Sequence, residues 1–229
     1  MVHGYTGNPQ SMRPLAEAIA DQGYSVEMIR LPGHGTALED LIPMRWEDFR
    51  DAASQAYDEL AARSEKIAIV GLSMGGGICA WLAENRRDLD AMVVINPWVR
   101  ALAPDLVEGG LQLVAAGMEF IEGVGSDIKK DGSIEAAYPG TPLLAAKSVS
   151  DALIDVEARL GQITAPALLL SSREDHTVLP ENGDVFAAGV SGPLERIFLE
   201  NSYHVATLDN DAALIESATI EFLARVFAS

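Results

Sequence analysis

Cysteine is nearly absent. Cys79 is the only one, which excludes an internal disulfide and a cysteine-based zinc site and gives no sign of an oxidising compartment. Positive charge is also scarce. Lys and Arg number 16 against 34 Asp and Glu, a formal net charge of −18 at pH 7. A surface this acidic repels phosphate backbones and offers no basic patch to anionic lipid, so nucleic-acid binding is not expected and the charge reads as solubility. No apolar run reaches the ~18 residues of a membrane-spanning helix, so no stable membrane insertion is expected. The start, Met1-Val2-His3-Gly4, lacks the charged and apolar stretches of a secretory signal, which points to the cytoplasm. No two histidines share a helix at ligand spacing. Gly75-Gly76-Gly77 is not followed by the Lys-Ser or Lys-Thr of a phosphate loop, and there is no dinucleotide fingerprint. Neither a metal nor a cofactor is expected.

What is present is an alternation of strand-like and helix-like runs. Apolar runs at Ser25 to Leu31, Ile67 to Val70, Ala91 to Ile95, Ala167 to Leu170 and Leu194 to Leu199 read as strands. The unbroken ones imply burial on both faces, as in a parallel sheet covered by helices. Helical stretches lie between them. Pro14 to Asp21 follows Ser11 and is closed by Gly23. From Phe49, apolar residues recur at Ala52, Ala53, Ala56, Tyr57 and Leu60, one face of a helix. Ile78 to Asn85, Pro142 to Leu160 and the run from Ile215 to Val226 are also compatible with helices. This order predicts an α/β fold, a mostly parallel central sheet with helices on both faces. At 229 residues one domain over 1–229 is expected. About 70 residues separate the strands ending near Asn96 and starting near Ala167. A stretch that long signals an insertion, here approximately 98–141, of the kind that caps a binding site.

The chemistry begins at Gly71-Leu72-Ser73-Met74-Gly75, a G-x-S-x-G segment between an apolar strand and a helix-compatible stretch. A sharp strand-to-helix turn needs small neighbours, and it lifts the serine hydroxyl above the sheet's C-terminal edge, facing a helix N-terminus. A serine nucleophile needs a base, and the base needs an orienting carboxylate. Asp175 and His204 each follow a strand and complete the order Ser, acid, His. Asp175 is favoured over Glu174 and Asp184, and His204 over His176, by position just past a strand end. His3 and His34 sit in His-Gly and Gly-His-Gly turns and are expected to hold those turns.

Taken together, His3-Gly4-Tyr5-Thr6-Gly7, Pro32-Gly33-His34-Gly35, Gly71-Leu72-Ser73-Met74-Gly75-Gly76, Arg173-Glu174-Asp175 and Ser202-Tyr203-His204-Val205-Ala206-Thr207-Leu208-Asp209 resemble the serine α/β hydrolases. The similarity is greatest to the small bacterial carboxylesterase and monoacylglycerol-lipase group. That resemblance implies the α/β-hydrolase fold and the triad Ser73, Asp175 and His204. It also implies an oxyanion hole made by the backbone N–H groups of Tyr5 and Met74. The expected function is hydrolysis of short- to medium-chain carboxylic esters or monoacylglycerols through an acyl-enzyme. The alternatives are a thioesterase or lactonase on the same triad, or a non-catalytic ligand-binding protein on the same fold. The expected partner is a small-molecule ester, with the oligomeric state open. The insertion carries Trp98, Leu102, Leu106, Leu111 and Met118; Trp98, Leu111 and Met118 are the candidates for substrate binding. In this fold a central strand and an antiparallel hairpin precede the His-Gly turn, yet only Met1 and Val2 precede His3. A typical strand takes roughly 5–6 residues, so these N-terminal strands are expected to be missing and the natural protein to begin roughly 20–30 residues upstream.

Overall fold

The computed structural model describes residues 1–123 and 125–228. In chain order its helices are α1 (Arg13–Asp21), α2 (Leu38–Leu41), α3 (Trp46–Ala61), α4 (Met74–Asn85), α5 (Pro104–Ala115), α6 (Leu143–Arg159), α7 (Glu181–Gly189) and α8 (Ala212–Ala228). Its strands are β1 (Ala68–Leu72), β2 (Ala91–Ile95), β3 (Phe120–Glu122), β4 (Gly140–Pro142), β5 (Ala167–Ser172) and β6 (Leu194–Leu199). The main sheet, in the order β1-β2-β5-β6, is parallel throughout.

Side chains alternate across this sheet with the two-residue period of a strand. Ile69, Met92, Val94 and Leu169 face the core built with α3, α4 and α6. Val70, Leu72, Val93, Ile95, Leu168 and Leu170 face a second core built with α1 and α8. Helices therefore cover both faces. Burial on both sides is why β2 and β5 are apolar at nearly every position. The C-terminal ends of the four strands share one edge, and the candidate site residues leave from it.

One expectation changes. Ser25 to Leu31 forms no strand. The Ile29 N–H reaches the Met1 carbonyl at 3.2 Å, and the Met1 ammonium donates to the Glu27 carbonyl at 2.6 Å. A ladder needs a partner of matching length, and here the chain beside it enters the His3 turn after Val2. Val2 itself makes an isolated parallel bridge to Gly71, with its N–H on the Val70 carbonyl at 2.8 Å. The stretch from 98 to 142 holds α5 and an antiparallel pair of short strands, β3 and β4. Several hydrogen bonds tie it back to the rest of the chain. The Tyr138 N–H reaches the Thr6 carbonyl at 3.0 Å, and the Tyr138 hydroxyl donates to the Gly33 carbonyl at 2.9 Å. Lys129 N–H and Lys130 N–H donate to the Asp209 carboxylate at 2.7 and 2.8 Å.

Candidate active site

β1 ends at Leu72 and α4 begins at Met74, leaving a single residue to reverse the chain. Ser73 takes φ +57° and ψ −122°, a region that L residues occupy only when their surroundings impose it. The imposing contacts are backbone on backbone. A Cβ at Gly71 would sit 2.3 Å from the Gly75 carbonyl oxygen, and a Cβ at Gly75 would sit 2.2 Å from that of Val2. Glycine at both positions is what allows α4 to press against β1 and the N-terminal turn. The Ser73 N–H is held by the Ile95 carbonyl at 3.1 Å, and its own carbonyl accepts from the Trp98 N–H at 3.0 Å. The serine is thus fixed by its main chain.

Asp175 and His204 meet as the sequence order predicts. His204 Nδ1 lies 2.7 Å from Asp175 Oδ2, and both side chains are buried. The other oxygen, Asp175 Oδ1, accepts the N–H groups of Thr177 at 2.9 Å and Val178 at 2.7 Å. These bonds fix the carboxylate, which in turn selects the tautomer with the proton on Nδ1 and leaves Nε2 as the basic nitrogen. Burial pulls the His204 pKa down. The charge and hydrogen bond of Asp175, with Glu135 and Asp127 behind it, outweigh burial and leave the imidazole above its ordinary value.

Ser73, His204, Tyr5 and Trp98 line one cavity of about 700 Å³, within the usual range for a small-molecule site. As the first residue of α4, Met74 has an N–H with no intrahelical acceptor. Tyr5 adjoins the Gly4 that packs against Ser73, and its hydroxyl donates to the Pro142 carbonyl at 2.8 Å. Burial raises the pKa of that hydroxyl, so the phenol stays neutral. His3 and His34 do hold turns. His3 Nδ1 sits 2.9 Å from the Gly4 carbonyl while Nε2 accepts the Leu31 N–H at 3.2 Å. His34 Nδ1 sits 2.9 Å from the Pro32 carbonyl. Burial lowers their pKa values to about 3 and about 4. Both rings are therefore neutral, as a structural hydrogen-bonding role requires.

Leu111 and Met118 do not line the cavity; both are exposed, at 41% and 42%. Leu106 and Leu102 line it instead, beside Trp98. Leu111 follows Leu106 by five residues, which turns it roughly 140° around α5. Met118 lies beyond the end of α5. Sequence reasoning missed four polar residues. Asn96, at φ +42°, donates to the His204 carbonyl at 2.8 Å and to Ser172 Oγ at 2.9 Å. Asp127 accepts the His204 N–H at 3.2 Å. Asp209 accepts the Tyr203 N–H at 2.8 Å. Glu135 brings a carboxyl to the cavity wall, where burial raises its pKa against the opposing charge of His204. Asp209 alone had a sequence signal, as the last residue of the histidine motif.

A parallel sheet bearing a strained serine at a strand-to-helix turn, with an acid–imidazole pair after later strands, is the α/β-hydrolase arrangement. The chain belongs to the family described as serine aminopeptidase, S33, whose model matches residues 1–211. It is 40% identical to the thermostable monoacylglycerol lipase of Bacillus sp. (strain H-257), over 98% of this chain and 89% of that one. Identity to the carboxylesterase of Bacillus subtilis (strain 168) is 25%, over 99% of this chain and 92% of that one. A solved chain from LipS and LipT, two metagenome-derived lipolytic enzymes, superposes with a TM-score of 0.93 at 39% identity. That match covers 98% of this chain and 91% of the other. The resemblance to lipolytic α/β hydrolases read from the motifs is borne out.

Proposed function

We propose that this hydrolase cleaves short- to medium-chain carboxylic esters, monoacylglycerols among them, through an acyl-enzyme on Ser73. The observation that carries the reading is the buried Asp175–His204 pair at 2.7 Å behind a cavity that Ser73 and His204 line together. Full-length similarity to a monoacylglycerol lipase supports the substrate class. In this reading His204 Nε2 takes the Ser73 proton as Oγ attacks the ester carbonyl, and the imidazolium is stabilised by Asp175. The N–H groups of Met74 and Tyr5 receive the oxyanion, two backbone donors of the kind such an intermediate requires. His204 then protonates the leaving alcohol, activates water and releases the acid. Trp98, Leu102 and Leu106 form an apolar wall for the acyl chain, and the stretch at approximately 98–141 acts as a cap over it.

The test is hydrolysis of p-nitrophenyl esters from acetate to palmitate, and of monoacylglycerols, by the chain and by Ser73→Ala. Activity on esters that disappears in the variant is expected, with covalent fluorophosphonate labelling of Ser73. Preferential turnover of aminoacyl p-nitroanilides would move the assignment to peptide hydrolysis. Activity that survives in Ser73→Ala would remove the acyl-enzyme.

A further inference from the structure

The loop that carries His204 has little regular structure of its own. It runs from the end of β6 at Leu199 to the short 3-10 turn Ala206–Leu208, so no ladder or helix fixes the main chain at His204. Side chains from elsewhere do so. The His204 carbonyl is taken by Asn96 Nδ2 at 2.8 Å. The His204 N–H is taken by Asp127 Oδ2 at 3.2 Å, and Asp127 belongs to the stretch over the cavity, not to the sheet. The same carboxylate accepts the His176 N–H at 3.0 Å and meets His176 Nδ1 at 2.9 Å. One residue therefore joins the loop holding Asp175 to the loop holding His204. The contact is reinforced on either side. The Val205 N–H reaches the Asp127 carbonyl at 3.1 Å, and Asp209 returns its carboxylate to Lys129 N–H and Lys130 N–H.

We propose that Asp127 is a positioning residue for the general base: its carboxylate clamps the main chain of His204 from the insertion and keeps the imidazole in register with Ser73. The proposal rests on His204 being the base. Asp127 also borders the cavity, so contact with bound substrate is the competing role. The two differ kinetically. A substrate contact shows in KM, whereas a displaced base shows in kcat. Asp127 also adds to the field at His204 together with Asp175 and Glu135, the other carboxylates that face the ring, and this field raises its pKa. Loss of the Asp127 charge therefore moves the acidic limb of the kcat/KM profile toward lower pH.

The experiment measures kcat and KM from pH 5 to 9 for the full chain, Asp127→Asn and Asp127→Ala, with melting temperatures recorded in parallel. Ser73→Ala and His204→Ala serve as references. Expected for folded Asp127 variants is a fall in kcat of about tenfold to a hundredfold, the scale set by a misplacement near 1 Å. KM should stay within about threefold, and the acidic limb should shift down. Unchanged kcat, a loss carried by KM, or an unmoved limb overturns the proposal. Failure of both variants to fold overturns it as well, because the residue is then structural. If the two reference variants are inactive while the Asp127 variants match wild type, only this proposal falls. If the reference variants keep their activity, the reading of the site itself falls.

Discussion

Gly75→Ala should separate catalysis from stability. The added Cβ would lie 2.2 Å from the Val2 carbonyl oxygen and 2.7 Å from that of His3. Both neighbours are backbone, so no side chain can rotate away, and α4 must part from the N-terminal turn by about 1 Å to restore ordinary contact. That gap opens between the two segments that carry Met74 N–H and Tyr5 N–H, the donors proposed for the oxyanion. Losing one oxyanion donor costs a factor of about 10²–10³ in kcat, or about 2.7–4 kcal/mol. The stability ledger is milder. Overpacking costs about 1–3 kcal/mol, and alanine returns about 1 kcal/mol of helix propensity over glycine. A net loss of about 0–2 kcal/mol corresponds to a fall in Tm of at most about 8 °C at this chain length. The expected result is kcat lowered at least about a hundredfold, KM little changed and a folded protein. Gly110→Ala is the control, because its Cβ would meet only Leu143 Cδ2, at 3.7 Å. It should keep full activity and gain about 0.5–1 kcal/mol. Steady-state kinetics on a p-nitrophenyl ester and thermal melts by circular dichroism decide the matter. Gly75→Ala with kcat within about threefold of wild type would refute the claim that this close approach sets the oxyanion geometry.

Two further outcomes follow from the cavity wall and from a buried carboxyl. Leu106→Ala should shift the preferred acyl length and cost about tenfold in kcat/KM on the best ester, while Leu111→Ala leaves the profile in place. Equal effects of the two substitutions across the acetate-to-palmitate series would contradict the lining described for α5. Burial raises the pKa of Glu84 to about 7 against the opposing pull of Arg159, whose guanidinium lies 3.1 Å away. A carboxyl whose folded pKa exceeds its unfolded value of 4.5 contributes stability below the unfolded pKa and loses it as pH rises through the folded one. Wild type should therefore lose Tm relative to Glu84→Gln between pH 5 and 8, and parallel melting curves across that range would exclude Glu84 as the titrating group.

The most legible part of the fold is the strand buried on both faces. Ala91 to Ile95 was read with its observed ends, because a parallel ladder in the sheet interior demands apolar residues at successive positions; Leu194 to Leu199 was also read with its observed ends, although at the sheet edge only Leu199 is buried. Ser25 to Leu31 carries a comparable pattern but pairs only with the two residues before His3, and a pattern cannot show whether its partner is long enough. The placement of Ser73, Asp175 and His204 at one sheet edge was legible because each follows a strand end, a position that sequence order reveals. Asp127, Asn96 and Glu135 were not. Asp127 lies 77 positions before His204, in irregular chain whose path no periodicity encodes. Leu111 and Met118 were misplaced for a related reason. Apolar content marks a stretch as able to line a pocket, but the rotation of α5 and the point where it ends decide which residues do.

α5 contributes no buried residue, and Leu106, Leu111 and Leu113 all remain exposed. A helix that covers so little can open at small cost while the sheet beneath it stays intact, so its amides should exchange with solvent far faster than those of α4. Evolution can recut that helix for a different ester at little expense to folding.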